Sequence, residues 1–212
     1  MPLTQLRCRD LAPGDILLKV SDGSITSRVI GLGQRLVGQV DTQFIHAGLM
    51  FDRNVMIEAQ RGGVSANDLR TPRIDGKGNK PYGYLIFRCT MAHVADGAGT
   101  LAKVLFDVHT RGRNLKFAYA GAVGALGGPA GRPHSRSAMD DRVDEILAGR
   151  NHRFFCAQLV VMTYQFAAEQ NGIAAAGVFR DADRSVSPST LAARLNGHAL
   201  FREAGYLMPN ER

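Results

Sequence analysis

Apolar and polar positions along the chain fall into two textures. In the first, short apolar runs alternate with turn residues. Leu11-Ala12-Pro13-Gly14-Asp15 puts a Pro-Gly turn before a run at 16–20 that reads as a strand. Ile25, Val29, Leu32, Leu36 and Val37 recur at mostly helical intervals and predict a short helix over 24–40, imperfect because Gly31, Gly33 and Gly38 interrupt it. Runs at 44–51 and 55–59 flank Asp52-Arg53-Asn54 and predict a hairpin. A further strand is expected at 82–89, pairing nearby.

The second texture is helical. Leu101, Val104, Leu105 and Val108 predict an amphipathic helix ending near Thr110. A Gly- and Ala-rich stretch at 117–131 leads into a polar loop at 133–137, and residues 140–148 read as another short helix. The loop around 127–137 is the expected mobile segment. The strongest helix is 155–170, with Leu159, Met162, Phe166 and Ala167 on one face and Asn171-Gly172 as its stop. Ser187-Pro188 opens a last short helix through Leu195. Strands come first and helices follow, without repeat or linker, so the fold class expected is α+β, as one domain over 1–212.

Composition narrows the function. A 212-residue chain that is 45% hydrophobic can bury a substantial core, which excludes disorder and fibres. A net charge of +7 favours an anionic partner. The basic clusters Arg111-Gly112-Arg113 and 132–136 lack interleaved aromatics, so no nucleic-acid partner is expected. Three scattered cysteines, Cys8, Cys89 and Cys156, form neither a disulfide framework nor a zinc motif. The six histidines offer no metal-ligand spacing and no phosphate-cradling loop is present, so neither metal nor cofactor is expected. No apolar run reaches the roughly 18 residues of a membrane span. The opening Met-Pro-Leu-Thr-Gln lacks the apolar core of a secretory signal, which predicts synthesis in the cytoplasm.

Cys156 stands in Arg-Phe-Phe-Cys-Ala-Gln-Leu-Val at the first turn of the strongest helix. Free backbone N–H groups and the helix dipole favour a thiolate there, although a lone cysteine in an apolar run also fits a core position. A thiolate nucleophile needs a base and a group to orient that base. His46 interrupts an apolar strand beside Gly48, which permits close approach. With a three-residue hairpin loop, Phe51 pairs with Val55, Gly48 with Glu58 and His46 with Gln60. Glu58 then lies diagonal to His46 on the same face and can accept from its imidazole, with Gln60 as the alternative orienter. A two-residue loop would reverse the parity and separate them. His152, in a polar stretch, reads as solvated; Tyr119 and Tyr164 read as packing residues.

The order of these motifs resembles the circularly permuted NlpC-type cysteine peptidases, papain-like enzymes in which the histidine strand precedes the cysteine helix. The resemblance rests on Pro13-Gly14-Asp15-Ile16-Leu17-Leu18, His46-Ala47-Gly48, Met56-Ile57-Glu58-Ala59 with Gly63-Val64, and Phe155-Cys156-Ala157-Gln158-Leu159-Val160. It spans about residues 11–170 and departs from a common family pattern at Ala157, where serine often follows the cysteine. It implies a small antiparallel sheet packed against helices, with Cys156 as nucleophile, His46 as general base and Glu58 as third residue. The implied reaction is cleavage of an amide bond in bacterial cell-wall peptides, a substrate whose anionic polymer suits a basic protein. Without a signal, delivery by a specialised secretion machine into a rival's periplasm, with an immunity partner in the producer, is the expected route. Two other readings stand beside it. One is a lipid-directed thiol acyltransferase or hydrolase resembling lecithin:retinol acyltransferase, for which the 117–128 stretch would meet a membrane. The other is a non-enzymatic basic binding module with Cys156 merely buried.

Overall fold

The Pro13-Gly14 turn enters its strand under tight steric control. Gly14 has φ 79°, a conformation that disfavours any side chain, and a Cβ there would stand 2.4 Å from the Ala95 carbonyl oxygen. Its N–H donates to Met50 O at 2.8 Å. Asp15, next in sequence and 1% exposed, accepts the Ala12 N–H at 2.8 Å and both arms of the Arg88 guanidinium at 2.7 and 2.6 Å. A buried carboxylate is tolerated only with such partners, and here they tie the turn to a neighbouring strand. The Tyr164 hydroxyl, from a helix, donates to the Gly14 carbonyl.

The computed structural model describes residues 3–20, 44–60, 63–71, 83–111, 156–180, 186 and 188–208. Among them the strands are β1 (Gln5–Leu6), β2 (Ile16–Val20), β3 (Phe44–Asp52), β4 (Val55–Gln60), β5 (Gly63–Asp68), β6 (Tyr84–Cys89) and β7 (Phe201–Leu207). The helices are α1 (Ala92–Arg111), α2 (Cys156–Gln170), α3 (Ala175–Val178) and α4 (Pro188–Leu195), with a 3-10 turn at Cys8–Asp10. The expected elements at 24–40, 117–131, 133–137 and 140–148, together with Tyr119, His152 and the 132–136 cluster, lie outside the described residues.

The fold is α+β. One mixed sheet runs β1-β7-β6-β2-β3-β4-β5, antiparallel throughout except for the parallel β1–β7 pair. It is wider than the small antiparallel sheet expected, because β5, β7 and β1 join it. The expected strand at 82–89 contains β6, which pairs with β2 and β7. Alternation divides the sheet's apolar side chains. Ile16, Leu18, Ala47, Leu49, Ile57, Leu85 and Phe87 join the core with the helices, whereas Leu17, Met50, Met56, Tyr84 and Ile86 form a second cluster with Leu11 and Leu69.

Helices α1, α2 and α4 pack on β3, and α1 also packs on α2. The α1 helix begins at Ala92, well before the first residue of the periodic pattern, since Val94 and Ala98 are buried as fully as Leu101 and Ala95 is buried beside them. One apolar face was expected for α2. Instead every residue from Cys156 through Ala168 is buried, including Val160, Val161 and Tyr164, because the helix lies between the sheet and the other helices. Its polar groups are met internally: Thr163 Oγ1 donates to Val160 O at 3.0 Å and Gln165 Nε2 to Phe179 O at 2.8 Å.

Candidate active site

The hairpin that carries His46 and Glu58 reaches the expected register by a different route. Its loop is two residues, Arg53-Asn54, closed by the pair Asp52↔Val55. Alone, that turn would put Glu58 on the wrong face. The register shifts between Met50 and Asp52, so that Met50↔Met56, Leu49↔Ile57 and Gly48↔Glu58 follow. A bulge adds one residue to one strand and restores the lost parity. Gly48 matters at this crossing, since a Cβ there would stand 2.5 Å from Met56 Sδ.

The result is a short ion pair. His46 Nε2 lies 2.7 Å from Glu58 Oε2, with the histidine side chain 20% exposed and the glutamate 3%. Nε2–H donates to the carboxylate, which leaves Nδ1 for the hydrogen bond His46 makes with Cys156. Cys156, His46 and Glu58 thus form one hydrogen-bonded chain. Of the two orienters considered, Glu58 makes the contact; the Gln60 side chain lies outside the described residues.

The Cys156 sulfur also accepts from backbone N–H groups of Ala47 and Ala157. The first of these has a structural cause. Met50 N–H donates to Asp15 O, so even-numbered N–H groups of β3 face β2 and odd-numbered ones face β4. The β3–β4 register ends at Gly48↔Glu58, while β4 continues to Gln60 alongside β5. The next inward donor, Ala47 N–H, therefore meets the sulfur of α2 where the two strands part. A backbone donor carries no sequence signal, and nothing in the residue types announces this one.

Electrostatics follow the geometry. Burial opposes a charge on either group, but for both the hydrogen bonds outweigh it. His46, bonded to Cys156 and Glu58, is pushed up from 6.5 to about 9. The Cys156 thiol is pulled below its ordinary value by the His46 hydrogen bond and charge and by the two backbone N–H groups. The two titrate as a coupled pair, and both shifts run in the direction of thiolate and imidazolium. The other cysteines move the opposite way: burial raises both Cys8 and Cys89. Tyr164 is wholly buried and serves packing, with Phe179 and Phe201 edge-on to its ring.

Among the described residues no cluster of three His, Cys, Asp or Glu side chains could hold a metal ion, and no helix is long and apolar enough to cross a membrane. A cavity of about 620 Å³ lies between α3, α4 and the segment before β7, lined in part by Phe179, Arg180, Arg194 and His198. It includes none of the three clustered residues, so the chemistry is placed by the hydrogen-bonded chain and not by that cavity. Comparison of the chain with protein families, curated proteins and solved structures gives no match.

Proposed function

We propose that the protein is a thiol hydrolase of the permuted papain-like kind, with Cys156 as nucleophile, His46 as acid and base, and Glu58 as the residue that orients His46. The observation that carries this reading is the continuous chain from Cys156 to His46 to Glu58, in which thiol and imidazole are shifted in opposite senses towards the ion pair. Opposed shifts in a hydrogen-bonded pair are what an activated thiol requires.

The reaction runs in two halves. The Cys156 thiolate attacks an acyl carbonyl and forms a C–S bond. The oxyanion faces the unpaired N–H groups of the first turn of α2, with the Cys156 N–H among them. As the tetrahedral intermediate collapses, the scissile bond breaks and the His46 imidazolium gives its proton to the leaving amine. Water then attacks the thioester while neutral His46 takes its proton. The acid is released and the thiolate–imidazolium pair returns. Glu58, behind the ring, stabilises the imidazolium and fixes Nδ1 towards the sulfur.

The substrate proposed is an amide bond in bacterial cell-wall peptides. The motif order resembles wall-cleaving peptidases, and a net charge of +7 suits an anionic polymer. Delivery into a competitor's periplasm, with an immunity protein in the producer, goes with that substrate. The test is incubation of the wild type and Cys156→Ala with peptidoglycan sacculi and defined muropeptides, with products read by mass spectrometry. Release of a wall-peptide fragment by the wild type alone supports the reading and names the bond. Turnover of acyl lipids in place of wall peptides moves the substrate to the lipid class, and turnover of neither by a folded protein removes the assignment.

A further inference from the structure

Glu58 has a neighbour that the reaction as described does not use. Strand β5 pairs with β4 so that Ser65 stands directly opposite Glu58. Directly opposed residues of an antiparallel pair project to the same face with Cβ atoms about 5 Å apart. The Ser65 hydroxyl oxygen is buried and has no hydrogen-bond partner among the described residues. A buried hydroxyl left unpaired costs about 1–3 kcal/mol, so its survival beside a buried carboxylate calls for a role. A hydroxyl is a donor that rotates freely, and a carboxylate has about four acceptor positions, so Glu58 can take a further donor besides His46.

We propose that Ser65 is a positioning residue for the candidate active site: its hydroxyl donates to the Glu58 carboxylate through one water and so holds it aimed at His46. The proposal rests on the Cys156–His46–Glu58 reading. It makes the site a relay of four groups on four elements: Ser65 on β5, Glu58 on β4, His46 on β3 and Cys156 on α2. Ser65 acts through Glu58 and touches neither the sulfur nor the substrate. The position is also accessible to substitution, since β5 is the last strand of the sheet order.

The experiment reads Cys156 reactivity in the full-length protein, without need of a substrate. The rate of iodoacetamide modification of the Cys156 peptide is followed by mass spectrometry at pH 6, where an ordinary thiol is almost wholly protonated. Ser65→Ala slows that rate by about fivefold, the size of one ordinary hydrogen bond. Ser65→Thr, which keeps a hydroxyl, restores it. In a Glu58→Gln background Ser65→Ala has no further effect, because the group it acts through has lost its charge. Thermal unfolding of each variant shows that the rates belong to folded protein. A Ser65→Ala rate equal to wild type, an equal slowing in the Glu58→Gln background, or a Ser65→Thr variant as slow as Ser65→Ala would overturn the proposal. If wild-type Cys156 itself reacts at pH 6 no faster than an ordinary thiol, the parent reading falls and this one with it, a result separable from the first three.

Discussion

Glu58→Gln isolates what the carboxylate does, because glutamine keeps the shape and a hydrogen-bonding oxygen while removing the charge. His46 is raised from 6.5 to about 9, a difference worth about 3 kcal/mol in favour of the imidazolium. Burial works against that rise; the hydrogen bond to Cys156 is the larger favourable contribution and that to Glu58 the next. An opposite charge in contact typically moves a pKa by about 1–3 units, so loss of the Glu58 charge is expected to lower the His46 midpoint by about one pH unit. The assay is an NMR titration of the His46 ring resonances in the wild type and in Glu58→Gln. The wild-type midpoint is expected near 9, and the variant's about one pH unit lower. The proton on His46 is present below the midpoint, so the variant holds its imidazolium over a narrower range at the alkaline end. An unmoved midpoint would refute the reasoning, since a buried carboxylate 2.7 Å from Nε2 cannot lose its charge without effect on the ring.

The same site and its frame yield further expectations. Turnover of the substrate should fall as pH rises through about 9, where His46 loses the proton that the leaving group needs, and a pH–rate profile of kcat/KM checks this. Gly48→Ala sets a Cβ 2.5 Å from Met56 Sδ and should destabilise the protein by about 2 kcal/mol; combined with Met56→Ala it should cost less in urea unfolding than the sum of the two single changes. Arg88→Ala leaves the buried Asp15 carboxylate without its guanidinium and should cost about 3–5 kcal/mol in the same assay, with Arg88→Ala/Asp15→Asn less unstable than the single change.

Local signals in the chain were informative where one residue type had one structural use. Pro13-Gly14 marked the entry to β2, since only glycine fits at φ 79° against Ala95. The polar His46 in an apolar strand and Cys156 at a helix start pointed to the same site from two distant segments. The pairing Gly48↔Glu58 was also legible, but for an incomplete reason: a two-residue turn and a bulge together give the parity that a three-residue loop would have given. Bulges leave no mark on the apolar–polar pattern, because the inserted residue is simply one more strand residue. Non-local features were hidden altogether. Strand β7 joins the sheet from 112 residues beyond β6 in sequence, and its FREAGYL pattern lacks the apolar alternation that marked the others. Ala47 N–H and the Ser65 hydroxyl gain their meaning only from strands that part or pair around them.

If His46 holds Cys156 as a thiolate, the two other cysteines of the chain serve as its controls. Cys8 and Cys89 are raised by burial while Cys156 is lowered. Brief iodoacetamide treatment at pH 6, with every cysteine peptide quantified by mass spectrometry in the wild type and in His46→Ala, compares them within one molecule. Cys156 should be modified first in the wild type, ahead even of the more exposed Cys8, and should lose that lead in His46→Ala. Modification of Cys156 no faster than Cys8, or a lead that survives the loss of His46, would contradict a thiolate held by His46.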